Sequence, residues 1–210
     1  STSPSHRMTT ATLECQQSNF LSARRQSQQI FTGFVESDGT VSIEADHATR
    51  NTSSTDVSYA VIPRYGHTLS GVTLLPVTIE TQQPPSSPRL EYDMYLFSNV
   101  STVKATVYLG PSLNTDHSRP LKYAISINDA DPQVVQFVPS TPLGSLPSNW
   151  ETTVRNAVWT NTTSHAIQGG GRKNTLKLWA IEPGVVFQKI VVDLGGVRPS
   201  YLGPPESMIV

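Results

Sequence analysis

Cysteine is nearly missing from this 210-residue chain, and Cys15 stands alone. No disulfide can close within the chain, so stability has to come from a packed core. No neighbouring base activates the thiol, and Cys15 reads as an incidental group in a polar segment. Charge is scarce too: charged residues make up 15% of the chain, against about a quarter in ordinary globular domains. Ser, Thr, Gln and Asn take their place, a composition common in extracellular β proteins. The net charge is -1, and the longest basic runs are the pairs Arg24-Arg25 and Arg172-Lys173. No basic track can follow a phosphate backbone, so nucleic acid is not an expected partner. Apolar runs are all far shorter than the ~20 residues of a spanning helix, so no membrane partner is expected either. Residues 1–30 also lack an apolar signal-peptide core, so the chain reads as a mature form or a fragment.

Catalytic constellations are absent as well. His47, His67, His117 and His165 do not stand at the spacing of a zinc-binding helix, and a histidine in a polar β loop is usually just solvated. Gly169-Gly170-Gly171 is followed by Arg172-Lys173 but lacks the Gly-Lys-Ser/Thr ending of a phosphate loop; a turn before a strand explains it. Glu91 and Asp93 share one face of a strand. Paired carboxylates can hydrolyse glycosides, but on the wet face of a sandwich they are more often plain surface.

Short β runs broken by turn chemistry are present instead. Ile30–Glu36 and Val41–Asp46 flank Asp38-Gly39, a strong hairpin signal. Further runs are expected at Ser58–Ile62, Gly71–Leu75, Arg89–Phe97, Thr102–Leu109, Lys122–Asn128 and Gln133–Phe137. The last are Thr152–Thr160, Thr175–Ile181 and Val185–Asp193. Val103, Ala105, Val107 and Leu109 fall on one face of their run, with Lys104, Thr106 and Tyr108 on the other. The 16 prolines and 13 glycines sit mainly between the runs, and no stretch keeps a helical period over three turns. No internal repeat is visible, which disfavours a propeller or β-helix. The expectation is an all-β fold without helices, a two-sheet β-sandwich of the jelly-roll kind. It would occupy residues 29–203, with a tail over 204–210. Residues 1–28 are polar and aperiodic, with Phe20-Leu21 their only neighbouring large apolar pair. They read as a linker, the alternative being a short helix within Thr9–Gln28.

Three sequons begin at Asn51, Asn99 and Asn161, and they favour a secreted, extracellular protein. Asn99 is expected to be glycosylated, because it falls between two strand runs. Asn161 stands close to Trp159 and could lie inside a strand.

The C-terminal third carries a more specific signal. Thr175-Leu176-Lys177-Leu178-Trp179 and Glu182-Pro183-Gly184-Val185-Val186-Phe187 are followed by Pro199-Ser200-Tyr201-Leu202-Gly203-Pro204-Pro205-Glu206-Ser207. With Glu36-Ser37-Asp38-Gly39 and Ser87-Pro88-Arg89-Leu90-Glu91-Tyr92-Asp93, this pattern resembles the C-terminal domain of glycoside hydrolase family 115 over roughly residues 33–207. Thr40, His67 and Ala180-Ile181 depart from it, standing where Tyr, Arg and Met-Val are expected. The resemblance implies large secreted or periplasmic xylan α-1,2-glucuronidases, which remove (4-O-methyl)glucuronic acid branches in a central barrel that this chain does not contain. It further implies an ancillary β-sandwich, similar to carbohydrate-binding modules, that takes part in dimer packing and substrate contact. Expected partners are then a plant cell-wall polysaccharide such as glucuronoxylan, the catalytic domains of the parent enzyme, and a second copy in a homodimer. A purely structural domain without glycan affinity is the alternative.

Two sites are expected. Trp179, Tyr108 and Tyr95 alternate onto polar strand faces, where flat rings can stack on sugars and Lys177 can pair with a uronate carboxylate. The alternative is that a loop or a partner domain covers the rings. The second site rests on the resemblance to carbohydrate-binding modules, where a comparable first strand helps to hold a structural Ca2+. Glu44 and Asp46 would be its ligands here, although Gln188 stands where those modules usually place an aspartate. A hydrogen-bonded surface pair is the alternative.

Overall fold

Asp38 and Gly39 both take positive φ, 50° and 69°, and Ser37 and Thr40 exchange two backbone hydrogen bonds of 3.0 Å around them. The expected tight turn is there, but the strands it joins part company into different sheets. The computed structural model describes residues 32–210. The expected linker over 1–28, its alternative helix, Cys15 and Phe20-Leu21 lie outside the described residues.

Two six-stranded sheets face each other. The first runs β1 (Phe34–Val35), β6 (Arg89–Leu96), β11 (Arg172–Ala180), β8 (Lys122–Ile127) and β9 (Gln133–Gln136). A further strand, β3 (Arg50–Thr52), pairs with β6 at the end opposite to β1. The second sheet runs β10 (Trp159–Ala166), β7 (Thr102–Leu109), β12 (Val186–Asp193), β5 (Ser70–Leu75) and β4 (Ser58–Pro63). The strand after the turn, β2 (Thr40–Glu44), pairs with β12. Pairing is antiparallel except between β1 and β6. This is the expected all-β, jelly-roll-like sandwich.

Period-two alternation decides the core. Val103, Ala105, Val107 and Leu109 of β7 are buried, and so are Leu90, Tyr92, Met94 and Leu96 of β6. Tyr123, Ile125 and Phe187 complete the centre, and the Tyr92 hydroxyl donates to the Ala45 carbonyl at 2.7 Å. Each such side chain contributes ~1.5–3 kcal/mol through burial.

Three expectations need correction. Residues 152–160 are not one strand: α1 (Trp150–Asn156) occupies most of that run, and β10 begins at Trp159. Glu151 and Arg155 suit the two ends of the helix dipole, and Ala157, in the left-handed region, ends the helix. These end effects outweigh the β-branched Thr152, Thr153 and Val154. The exposed strand β3 was hidden in the sequence because Arg50, Asn51 and Thr52 carry no apolar alternation. The last residues do not form a free tail. Gly33 and Val210 exchange backbone hydrogen bonds of 2.9 and 3.0 Å, Val35 N donates to Met208 O at 2.9 Å, and Ser207 N donates to Ser42 O at 2.8 Å. Ser42 and Glu44, which alternate with the core residues Val41 and Ile43, are therefore buried as well.

Candidate functional site

The outer face of the first sheet is built from alternate residues of three strands. In register, Thr175 stands opposite Asp93, Lys177 between Glu91 and Ser126, and Trp179 opposite Ala124. One end of this face is an ionic lattice. Arg50 binds Asp93 through both terminal nitrogens, at 2.6 and 2.9 Å, and Glu91 through Nε at 2.7 Å. Arg89 Nε donates to Glu91 at 2.6 Å, Lys173 Nζ lies 2.9 Å from Asp93, and Thr175 Oγ1 donates to Asp93 at 2.7 Å. Burial alone would raise the Asp93 pKa, but hydrogen bonds from Arg50, Lys173 and Thr175 bring it down to about 2. Glu91 is likewise held below its ordinary value against the effect of burial, by Arg89 and Arg50. Two carboxylates kept ionised this way cannot act as a proton donor, so the Glu91–Asp93 pair is structural.

Farther along the face the lattice stops and a groove of about 230 Å³ opens. Lys177, Trp179, Ser126, Asp129 and Arg89 line it, with Pro85 from the loop before β6. Gln82 N donates to Ile181 O at 2.8 Å, which holds that loop against the end of β11. The Lys177 ammonium lies 3.6 Å from the fully exposed carboxylate of Asp129, a screened contact, while its cross-strand neighbour Glu91 is taken up by Arg50 and Arg89. Two groove residues carry polar atoms that are buried without a hydrogen-bond partner: Ser126 Oγ and Trp179 Nε1. An orphaned buried donor costs ~1–3 kcal/mol, and because both atoms are sealed from solvent an acceptor would recover that free energy only where the groove opens to admit it. The arrangement of one cation beside two unsatisfied donors suits a small anionic oxygen group, such as a carboxylate.

The three aromatics expected as a platform do not form one. Trp179 lies on the outer face as alternation predicts, but it is only 1% exposed and packs with Ala124 and Ile181. Alternation assigns a face and says nothing of the loop that covers it. Tyr95 is half-buried at the far end of the same face, opposite Lys173, and its ring meets Phe97 edge-on at 5.1 Å. Tyr108 belongs to the other sheet, half-buried 6.4 Å from the His67 ring. Of the expected sugar-contacting residues, only Lys177 and Trp179 come together.

The Glu44–Asp46 expectation is also corrected. Glu44 is buried, its carboxylate 3.2 Å from Lys189 Nζ and accepting from Thr68 Oγ1 at 2.8 Å. The ammonium of Lys189 already supplies the positive charge that a cation would bring. Gln188 turns away to accept from His67 N and to donate to Ala157 O. Glu44 is thus already taken up by protein partners, whereas Asp46 keeps one buried carboxylate oxygen, Oδ1, without a hydrogen-bond partner, 3.9 Å from His47 Nε2. Among the described residues no group of three or more His, Cys, Asp or Glu is arranged to hold a metal.

The remaining candidates find ordinary places. Gly170 and Gly171, with φ near 75° and 78°, make the turn into β11. His165 is buried beside Thr163, and desolvation lowers its pKa. Asn99 and Asn51 are exposed, whereas Asn161 lies within β10 with its Oδ1 accepting from Tyr123 at 3.4 Å. Sequence reasoning missed Ser126 and Asp129, since neither belongs to a motif and only the β8–β11 register brings them to Lys177.

Residues 33–206 match the family described as the glycosyl hydrolase family 115 C-terminal domain. No curated protein matches the chain. Among solved structures, the chain is similar to a family GH115 4-O-methyl-α-glucuronidase with specificity for decorated arabinogalactans. The TM-score is 0.55 at 15% identity, covering 75% of this chain and 18% of that one. The chain thus corresponds to less than a fifth of that enzyme's length. It is also similar to the C-terminal family 6 carbohydrate-binding module of a laminarinase from Zobellia galactanivorans, with TM-score 0.46 and 12% identity over 73% of this chain and 98% of that one. A family 35 carbohydrate-binding module from Clostridium thermocellum gives TM-score 0.46 and 15% identity over 72% and 97%. The match over residues 33–206 places the chain in glycosyl hydrolase family 115, as its C-terminal domain.

Proposed function

We propose that this domain is a non-catalytic accessory module of a secreted α-1,2-glucuronidase, and that it binds acidic glycan of the glucuronoxylan type through the Lys177–Trp179 groove. The observation that carries the reading is a single groove lined by Lys177 and by two residues with unpartnered buried polar atoms, Ser126 Oγ and Trp179 Nε1. A uronate carboxylate supplies both the charge and the acceptors. The groove is too small for an oligosaccharide, so it would grip the acidic branch while the backbone runs across the surface. The lock on Glu91 and Asp93 supports a module without hydrolytic chemistry of its own. Burial of Trp179 favours a second reading, in which this face packs on the parent enzyme's other domains or on a second copy and has no glycan affinity.

Calorimetry separates the two. Glucuronoxylan oligosaccharides and decorated arabinogalactan would bind, undecorated xylan would not enter this groove, and Lys177→Gln would weaken acidic binding about tenfold, equivalent to ~1.4 kcal/mol. Trp179→Phe keeps the packing and removes Nε1, so it should weaken binding with little change in stability. No heat with any acidic glycan, or unchanged affinity in Lys177→Gln, would leave the packing reading standing. Release of glucuronic acid from glucuronoxylan by the purified chain would overturn the non-catalytic assignment.

A further inference from the structure

A second groove, of about 320 Å³, lies on the outer face of the other sheet. That volume is at the small end of ordinary ligand pockets, ~300–1,000 Å³. Tyr108 of β7 and Thr160 of β10, opposite each other in register, contribute from the sheet's outer face, and Trp159, whose side chain is buried in the core, borders them. Asn149, Thr152 and Asn156 come from α1 and its approach. Ser200 and Tyr201 of the C-terminal segment close the other side, and Tyr201 is 68% exposed.

These elements are fastened to one another. Gln188 falls out of register at the β-bulge between Phe187 and Lys189, and it ties the His67 loop to Ala157 after α1. The His67 ring then joins both sides of the groove, with Nδ1 2.6 Å from Asn156 O and Nε2 2.6 Å from Tyr201 O. Its ring centroid is 4.7 Å from that of Tyr201. Gly203, at φ 73°, lets the C-terminal segment pass close over Tyr108, where an added Cβ would sit 3.0 Å from the Tyr108 hydroxyl. The walls are thus pre-positioned, which lowers the cost of ordering them on binding.

No Lys, Arg, Asp or Glu lines this groove, and both ring nitrogens of its one histidine, His67, are turned to backbone carbonyls and away from a ligand. It offers two tyrosine rings, two side-chain amides and the hydroxyls of Thr152, Thr153, Thr160 and Ser200. Rings provide apolar surface for the C–H faces of a sugar, and amides can donate and accept toward adjacent hydroxyls. We propose that this groove is a second glycan subsite, selective for a neutral sugar residue and separate from the Lys177–Trp179 groove on the opposite sheet. The inference does not rest on the acidic-glycan reading, because no residue is shared between the two grooves.

Two tryptophans report the two sites separately. Trp159 borders this groove from the core, its Nε1 donating to Ser112 O at 3.1 Å, so a sugar seated on Tyr108 and Tyr201 would move its signal through the packing. Trp179 lines the other groove. The full chain, with its indole N–H signals followed by NMR, is titrated with xylohexaose and with cellohexaose. At least one neutral probe should shift the Trp159 signal saturably and leave Trp179 in place. Tyr201→Ala should weaken that response tenfold or more, and Asn156→Asp should weaken it while the Trp179 spectrum stays native. Tyr201 is tied to His67 through its backbone carbonyl, so removing its ring should not unfold the domain. The proposal fails if neither probe moves Trp159 at ~10 mM, a concentration that reveals even millimolar affinity. It also fails if Tyr201→Ala responds like the wild type, or if the neutral probes move Trp179 instead.

Discussion

Replacing Asp93 by Asn should remove a defined part of the domain's resistance to acid. The carboxylate is 3% exposed and is bound by Arg50, Lys173 and Thr175. Its pKa falls from the ordinary 3.8 to about 2. A depressed folded-state pKa adds stability that is fully present above the unfolded value, and that is lost as pH falls through 3.8 toward the folded value. At 1.36 kcal/mol per pKa unit, this gap corresponds to about 2 kcal/mol. The cations are themselves about half exposed, at 46% for Arg50 and 50% for Lys173, so screening brings the expected effect to ~1–2 kcal/mol. Urea unfolding of wild type and Asp93→Asn at pH 7, 5, 4, 3 and 2 would measure it. The variant should be less stable at pH 7 by that amount, and the two curves should converge near pH 2. Parallel curves across the whole range would refute the argument, because they would show that Asp93 titrates alike in the folded and unfolded chains.

Further outcomes follow from other contacts. The hydrogen bond with Glu206 raises the His47 pKa, partly offset by burial; this stability is present below pH 6.5 and lost as pH rises through the folded value. The melting temperature should therefore fall from pH 6 to pH 8, and His47→Gln should flatten that slope. Lys189→Met leaves Glu44 buried without its partner and should cost ~3–5 kcal/mol in urea unfolding, while EDTA should leave the wild-type melting temperature unchanged. Secretion from a eukaryotic host should give a peptide map with Asn99 glycosylated and Asn161 bare, since the Asn161 amide is engaged by Tyr123.

Period-two alternation was enough to place β6, β7 and β11 and to name the core face of β7, because one apolar face per strand is a local property of the chain. It missed Glu91 and Asp93, buried on the polar face of β6, and the buried Asn174 of β11. The same rule put Trp179 on the correct face and failed on its exposure, which depends on a loop nearly a hundred residues earlier in the sequence. Ser42 and Glu44 failed for the same reason, since the segment that buries them is the C-terminus. The Lys177–Ser126–Trp179 groove needed the β8–β11 register, and the Tyr108–Tyr201 groove needed a helix, a bulge and a terminal segment to meet. Both are products of long-range pairing that no window along the sequence contains.

The antiparallel bridge between Phe34 and Ile209, flanked by the Gly33–Val210 hydrogen bonds, gives the domain a characteristic mechanical response. Tension applied between residues 33 and 210 would act across neighbouring rungs of one short ladder. Bonds loaded in that geometry break one after another instead of sharing the load. The peel would pass from Val210 to Met208 and Ser207, and reach the Glu206–His47 contact last. Apart from β1, which adjoins the pulled residue 33, the strands of both sheets would stay paired throughout. Single-molecule stretching from these two points would then show a soft, reversible lengthening of a few residues well before the sandwich ruptures.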